Sequence, residues 1–498
     1  MNALSEAIYN QTNQTTTQNG ALAFKSTGDK NLDFFSRAGA LRNSQEQMLD
    51  LFKRAFAESP EAAIVLAFAL RDVRGGGKEK QSFKTILTWL YKNHQDYFNK
   101  VVKLVPEYGY WKDIISFVDS DVVINMVSVQ LAKDALSRNP SLLAKWMPSV
   151  NAGKSARKLA LQWIKALQID GEAEYRRGLS AIRSNIKTVE SYMSANEWEL
   201  IEYSKVPSVA MKRNGSAFAK HDHARFDAFL KAAVKGEVEI KATTLLPHEI
   251  ANVYVKSIGY VNRRGDVYRG NFSEPLNLVA EAQWKALEDY TNDKNVLVMP
   301  DVSSSMKTEG FGKATALSVS VSLAVYFAQR SKGAFKDQIV TFSDAPKFIQ
   351  LDNTSLRSAL LSVFSHCQMG NTNLMASVEA ILHMARKNNV SQADMPTQLL
   401  ILSDMQFDCT GSMTNFEAMK RKFASSGYNM PEVVFWNLNS SIKQNSPVKK
   451  NEYGVALVSG ASPANLMYVL NSKVVSPIET MLLVLNAERY APVREALV

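Results

Sequence analysis

A change of periodicity near residue 294 constrains this chain more than any other feature. Before it, apolar residues recur at helical spacing. QEQMLDLFKRAFAES (45–59) puts Met48, Leu51, Phe52 and Ala55 on one face with Phe56 beside them. Ser59-Pro60 then restarts a helix with proline in its first turn. Further helices are expected over 83–94, 95–104, 111–118, 120–137, 153–168, 171–183, 222–235, 246–256 and 276–290. After 294 come six short β-rich runs: VLVM (296–299), QIVTF (338–342), KFIQL (347–351), QLLIL (398–402), VVFWNL (433–438) and GVALVS (454–459). Helical stretches separate most of them, which predicts βαβ units and a mainly parallel sheet covered on both faces. KFIQL follows QIVTF through the turn SDAP, so that pair reads as a hairpin with an antiparallel edge. ATALSVSVSLAVYFAQR (314–330) is apolar or small all round, as a helix lodged against a sheet would be.

The expected organisation is therefore a multidomain α plus α/β chain. A flexible polar arm (1–27) precedes a helical-repeat module, solenoid or ring (28–290), and a Rossmann-like α/β domain with a C-terminal helix follows (291–498). At 498 residues, 46% apolar and 21% charged, the composition is that of a folded globular protein. No apolar run approaches the roughly 20 residues that span a bilayer. The N-terminal tract has neither the basic residues nor the apolar core of a targeting signal. Two cysteines, Cys367 and Cys409, are too few for a disulfide framework and suit a reducing, cytoplasmic compartment.

Where the first strand of the α/β half emerges, the chain reads VLVMPDVSSSM (296–306). Ligands of such sheets sit beyond the carboxyl ends of the strands. Asp301, Ser303 and Ser305 leave the first strand there, QLLILSD delivers Asp404 to the end of another, and GNTNL (370–374) offers Thr372 on a loop. Two carboxylates and three hydroxyls are hard oxygen ligands, which suit Mg²⁺ or another oxygen-preferring divalent cation.

This pattern resembles the metal-ion-dependent adhesion site of von Willebrand factor A (vWA) domains. The resemblance implies that Asp301, Ser303, Ser305 and Thr372 are metal ligands, directly or through water, and that Asp404 belongs to the same shell. It also implies one coordination position left for an acidic group of a protein partner. The helical half has a second resemblance. R-D-x-R-G-G (71–76), P-x-Y-G-x-W-x-D (106–113) and K-W-x-P (145–148) occur in succession. Together they are similar to the Ro autoantigen (TROVE) family, above all to its uncharacterised vWA-bearing relatives. That resemblance implies a HEAT-like ring closed by the vWA domain. It implies single-stranded RNA ends in the hole, and small structured RNA on an outer basic surface.

Charge supports an anionic partner without requiring one. Residues 1–290 hold 39 Lys and Arg against 32 Asp and Glu, the remainder 19 against 16. The excess clusters at Arg71, Arg74, Lys78, Lys80 and Lys84; at Lys145, Lys154, Arg157 and Lys158; at Arg176, Arg177, Arg183 and Lys187; and at Lys212, Arg213, Lys220 and Arg225. Such groups would hold phosphates if they shared a surface, with Tyr110, Trp146, Tyr175 or Phe218 stacking on bases. Solvated helix faces over an aromatic core would give the same pattern. NAGKS (151–155) lacks the first glycine of a phosphate loop and a preceding strand, HDH (221–223) reads as a helix start, and RGGG (74–77) as a flexible turn. No catalytic set is found, so the expectation is a non-enzymatic, Ro-like RNA-binding protein. Its rivals are a vWA adaptor for a MoxR-type AAA+ ATPase and a structural component of a larger particle, neither needing RNA.

Overall fold

The strands are β1 Gln14–Thr16, β2 Leu22–Phe24, β3 Val296–Pro300, β4 Glu309–Phe311, β5 Ala314–Thr315, β6 Gln338–Val340, β7 Phe348–Gln350, β8 Gln398–Ser403, β9 Glu432–Asn437 and β10 Val455–Ser459. They are drawn from a computed structural model that describes residues 11–258, 276–291, 294–307, 309–311, 314–341, 343–366, 371–440, 443–470 and 476–498. Six strands form one mixed sheet in the order β10-β9-β8-β3-β6-β7, parallel except for the β6–β7 pair at one edge. All six come from the β-rich runs, and the antiparallel edge is the hairpin expected across SDAP.

Successive side chains of a strand point to opposite faces, and here each face has its own core. Val298, Leu400, Leu402, Val434 and Trp436 pack with the helix Ala316–Arg330, which is buried from Ala316 to Ala328. Leu297, Met299, Leu399, Ile401 and Phe435 pack instead with the helices Leu374–Lys387 and Asn415–Ser425. Apolar residues on both faces are what a covered parallel sheet demands.

The preceding half is helical. Gln45–Glu58 buries the five residues its spacing singles out, and Ser59 caps Pro60–Arg71 by accepting from Ala62 N at 3.3 Å. The helix expected over 111–118 is a single 3₁₀ turn, Trp111–Asp113, because the Asp113 carboxylate caps Tyr110 N (3.1 Å) and pairs with Arg71. The helices Val189–Ala195 and Ser208–His221 were not expected; Ser, Asn and Gly dilute their apolar stripes.

Packing crosses the expected boundaries in three places. Residues 11–27 are not a loose arm. β1 and β2 pair as a hairpin, and Phe24 exchanges backbone hydrogen bonds with Ser446 at 2.8–2.9 Å. Ala242 to Tyr254 and the helix Leu278–Lys285 pack on Ala316–Arg330, in the core of the α/β half. The C-terminal helices Pro477–Asn486 and Ala491–Leu497 bury Met481, Val484, Val493 and Leu497 in the N-terminal helical core. Amphipathic ends bury their stripe wherever apolar surface remains. The change of periodicity marks a change of secondary structure, not a packing boundary.

The helical half also abuts the ligand-side edge of the sheet. A Cβ on Gly39 would lie 2.8 Å from Ser459 O and from Gly460 Cα, so only glycine fits where the two halves meet.

Candidate functional site

β3 and β8 run in register, Pro300 opposite Leu402, so both chains reach the carboxyl edge together. Asp301 follows one strand and Asp404 the other. Asp301 N donates to Leu402 O at 2.8 Å; its Oδ1 accepts from Ser303 N at 2.9 Å and its Oδ2 from Ser403 Oγ at 2.7 Å. Ser303 and Ser305 hydroxyls are 3.0 Å apart. Thr372 is buried, and its carbonyl accepts from Asp408 N at 3.1 Å, which ties the threonine loop to the segment after Asp404. Asp404 Oδ1 accepts from Gln406 N at 3.1 Å, whereas its buried Oδ2 has no hydrogen-bond partner among the described residues.

Two carboxylates buried side by side are expensive to charge. Burial pushes Asp301 well above the usual carboxylate range, and the Asp404 carboxylate adds to the shift. Burial raises Asp404 too, against the Ser305 hydroxyl and backbone N–H groups that favour its anion. A small hard cation would relieve both charges and use the orphaned Oδ2, so the residues fit such an ion chemically. Among the described residues no three His, Cys, Asp or Glu side chains cluster in a way that could hold a metal. Any ion here would depend on the hydroxyls. Cys367 lies outside the described residues, and Cys409 is exposed.

The basic residues divide sharply. Arg71 belongs to the core, 1% exposed, with Nη2 2.7 Å from Asp113 Oδ2. That pair joins two of the sequence motifs. A Cβ on Gly109 would lie 2.4 Å from the same Asp113 oxygen, so Y-G-x-W-x-D needs its glycine for close approach. Nor is the glycine-rich turn loose: Gly77 N donates to Ala69 O (3.0 Å) and Glu79 N to Leu70 O (2.9 Å). Arg183 donates to Ala144 O and Met147 O at 2.8 and 3.0 Å, holding the K-W-x-P segment. Lys78 donates to Thr243 O at 2.7 Å and Lys212 to Glu249 O. Arg213 and Lys145 face Glu190, and Arg157 faces Glu172. Arg225 pairs with Asp222, whose HDH segment is the expected helix start. Tyr175 and Phe218, considered for stacking, are buried.

Lys80, Lys154, Lys158, Arg176, Arg177 and Lys220 are exposed and carry no ion pair among the described residues. One basic group gathers around aromatic rings. Lys112 Nζ stands 5.0 Å over the Trp146 ring, and Tyr110 lies 6.3 Å from Trp146, centroid to centroid. Desolvation by the surrounding protein, aided by the charges of Lys112, Arg71 and Lys84 and opposed by Asp113, holds Lys80 below its usual pKa although its side chain reaches solvent. Exposed Arg74, close enough to act on Tyr110, donates to Glu107 O. Lys112 escaped sequence reasoning, although it sits inside P-x-Y-G-x-W-x-D between aromatic neighbours.

Two family models match parts of the chain, both described as domains of unknown function: DUF2828 over 17–123 and 169–297, and DUF7788 over 295–491. The chain is 28% identical to the uncharacterized protein L728 of Acanthamoeba polyphaga mimivirus, across 97% of this chain and 89% of that protein. A crystal structure of the Deinococcus radiodurans RO (RSR) protein aligns over 94% of this chain and 93% of that one. With 13% identity and a TM-score of 0.37, that likeness decides nothing about function.

Proposed function

We propose that this chain is a non-catalytic, Ro-like RNA-binding protein of the cytoplasm. Its helical-repeat half, HEAT-like by resemblance, captures single-stranded or small structured RNA. The observation that carries this reading is Lys112, whose ammonium stands over the half-buried Trp146 ring beside Tyr110, with exposed Lys80 close enough to Lys112 to feel its charge and Arg74 close enough to act on Tyr110. Ammonium groups neutralise phosphates while aromatic faces stack on unpaired bases, and a single strand needs both. The motifs that resemble those of the Ro family build this same region, since the Arg71–Asp113 pair lies directly behind it.

In the α/β half, Asp301, Ser303, Ser305, Thr372 and Asp404 would hold Mg²⁺ in a vWA-type adhesion site. The ion would neutralise the carboxylate pair and supply an electropositive dock for an acidic group of a protein partner.

Purification without nuclease tests the RNA reading. A raised 260/280 nm absorbance ratio, lost on RNase or high-salt treatment and traced to an enriched set of small RNAs, is the expected outcome. A clean protein spectrum at low salt refutes it and favours the adaptor role.

A further inference from the structure

A surface cavity of about 230 Å³ opens between the N-terminal hairpin and the helices Lys30–Arg37 and Gln45–Glu58. Four cationic side chains line it, Lys25, Lys30, Arg37 and Arg54, against one carboxylate, Asp33. That carboxylate is already committed: Ser26 Oγ donates to it at 2.5 Å, Thr27 N at 2.8 Å and Arg37 Nη2 at 3.2 Å. Among the described residues Arg54 pairs with Asp50 alone, one turn back on its own helix and half in solvent. Such exposed pairs contribute little.

Arg37 is 3% exposed. It also donates Nη1 to Lys25 O at 3.1 Å, yet among the described residues its buried Nε has no hydrogen-bond partner. A structural tie between Asp33 and the hairpin accounts for the two Nη contacts. It leaves the Nε–H orphaned, and it leaves a cavity whose positive charge exceeds its negative charge by three. Burying a donor unpaired costs free energy, and guanidinium forks match tetrahedral oxyanions in shape. Arg37 and Arg54 also repel each other, which an anion between them would relieve.

We infer that this cavity binds a phosphate group, with Arg54, Lys30 and Lys25 as its donors and the buried Arg37 guanidinium as a fixed positive charge in its wall. The group is either free phosphate or the terminal phosphate of a nucleotide. Because Lys25 lies on the hairpin side, the bound anion also fastens residues 11–27 to the helical half.

Titration calorimetry and thermal unfolding of the full chain, with sodium phosphate, ATP and sodium chloride at matched ionic strength, test this. Saturable binding of phosphate or ATP, with a rise in unfolding temperature that chloride does not give, is expected. Affinity should fall at least tenfold in Arg54→Gln and in Lys30→Gln, both at solvent-accessible positions, with circular dichroism checking that each variant is folded. Lys53→Gln, exposed on the same helix outside the cavity, should bind as wild type does. ATP binding tighter than phosphate identifies a nucleotide site, and equal binding a free-phosphate site. No saturable binding of either, or equal loss in Lys53→Gln, overturns the inference.

Discussion

Ser403 donates its hydroxyl to Asp301 Oδ2 at 2.7 Å across two neighbouring parallel strands, so the carboxylate is oriented before any ion arrives. Asp404 follows Ser403 directly, and the same register that sets this bond brings the second carboxylate alongside. An ion at this site should stabilise the α/β half. We expect Mg²⁺ to raise its unfolding temperature in the wild type, while Asp301→Asn should unfold at the same temperature with Mg²⁺ or with EDTA. In EDTA the Asn variant should match or exceed the wild type, since it removes one of two buried charges. Calorimetric scans that respond equally to Mg²⁺ in both proteins would remove the ion from these residues.

The Arg71–Asp113 pair should govern stability rather than RNA contact. Removing one partner of a buried ion pair costs about 3–5 kcal/mol. Arg71→Ala should therefore lower the unfolding free energy from denaturant titration by that order, and Arg71→Lys, which lacks the planar fork, should recover only part of it. Wild-type stability in Arg71→Ala would contradict the assignment.

Acid should weaken the fold partly through His248. Burial, aided by Arg42 and Lys212, depresses its pKa to about 3, from an ordinary 6.5. Between those values the unfolded chain takes up a proton that the folded chain refuses. The contribution is thus complete above pH 6.5 and declines as pH falls, by about 1.4 kcal/mol per pH unit. Urea midpoints at several pH values should fall less steeply in His248→Gln than in the wild type. Parallel slopes would refute the buried neutral histidine.

The hairpin should open together with the loop it holds. Thr17 Oγ1 donates to Phe407 O at 2.7 Å and accepts from Ala21 N at 2.9 Å, and Gln18 N donates to Gln406 Oε1 at 2.8 Å. Thr17→Val strips two of these bonds at a cost of about 1–3 kcal/mol. Hydrogen exchange should then rise in residues 17–24 and 406–408 together while β8 stays protected. Exchange confined to 17–24 would show that the hairpin does not brace the loop.

The sheet was legible because parallel strands covered on both faces leave runs such as QLLIL, which no amphipathic surface helix imitates. The carboxylate pair was legible because a strand end fixes where its next side chains emerge. The basic surface was not. Arg71 and Lys80 belong to one run of sequence, yet Arg71 is enclosed by Asp113 and Lys80 faces solvent; long-range pairing decides between them, and spacing along the chain carries no trace of it. The hairpin escaped for a related reason. Thr17, Gln18 and Asn19 are polar residues that look solvated until Gln406, Phe407 and Asp408 are seen to bond them. A C-terminal helix was expected, but nothing local says that its core lies more than 400 residues away, where Arg489 grips Asp72 at 2.9 Å.

Affinity for a labelled single-stranded RNA, measured by fluorescence anisotropy across a salt series, tests the central claim most directly. The wild type should bind saturably, with affinity falling as salt rises. Replacing Lys80 and Lys112 together by Gln should reduce the log–log salt slope by about 1.4, at roughly 0.7 per phosphate contact on a single strand. Trp146→Ala should lower affinity by about 1–3 kcal/mol, the worth of one stacked base. Lys387→Gln, in the α/β half, should change neither. No saturable binding by the wild type at low salt, or variants that bind as it does, would contradict the account.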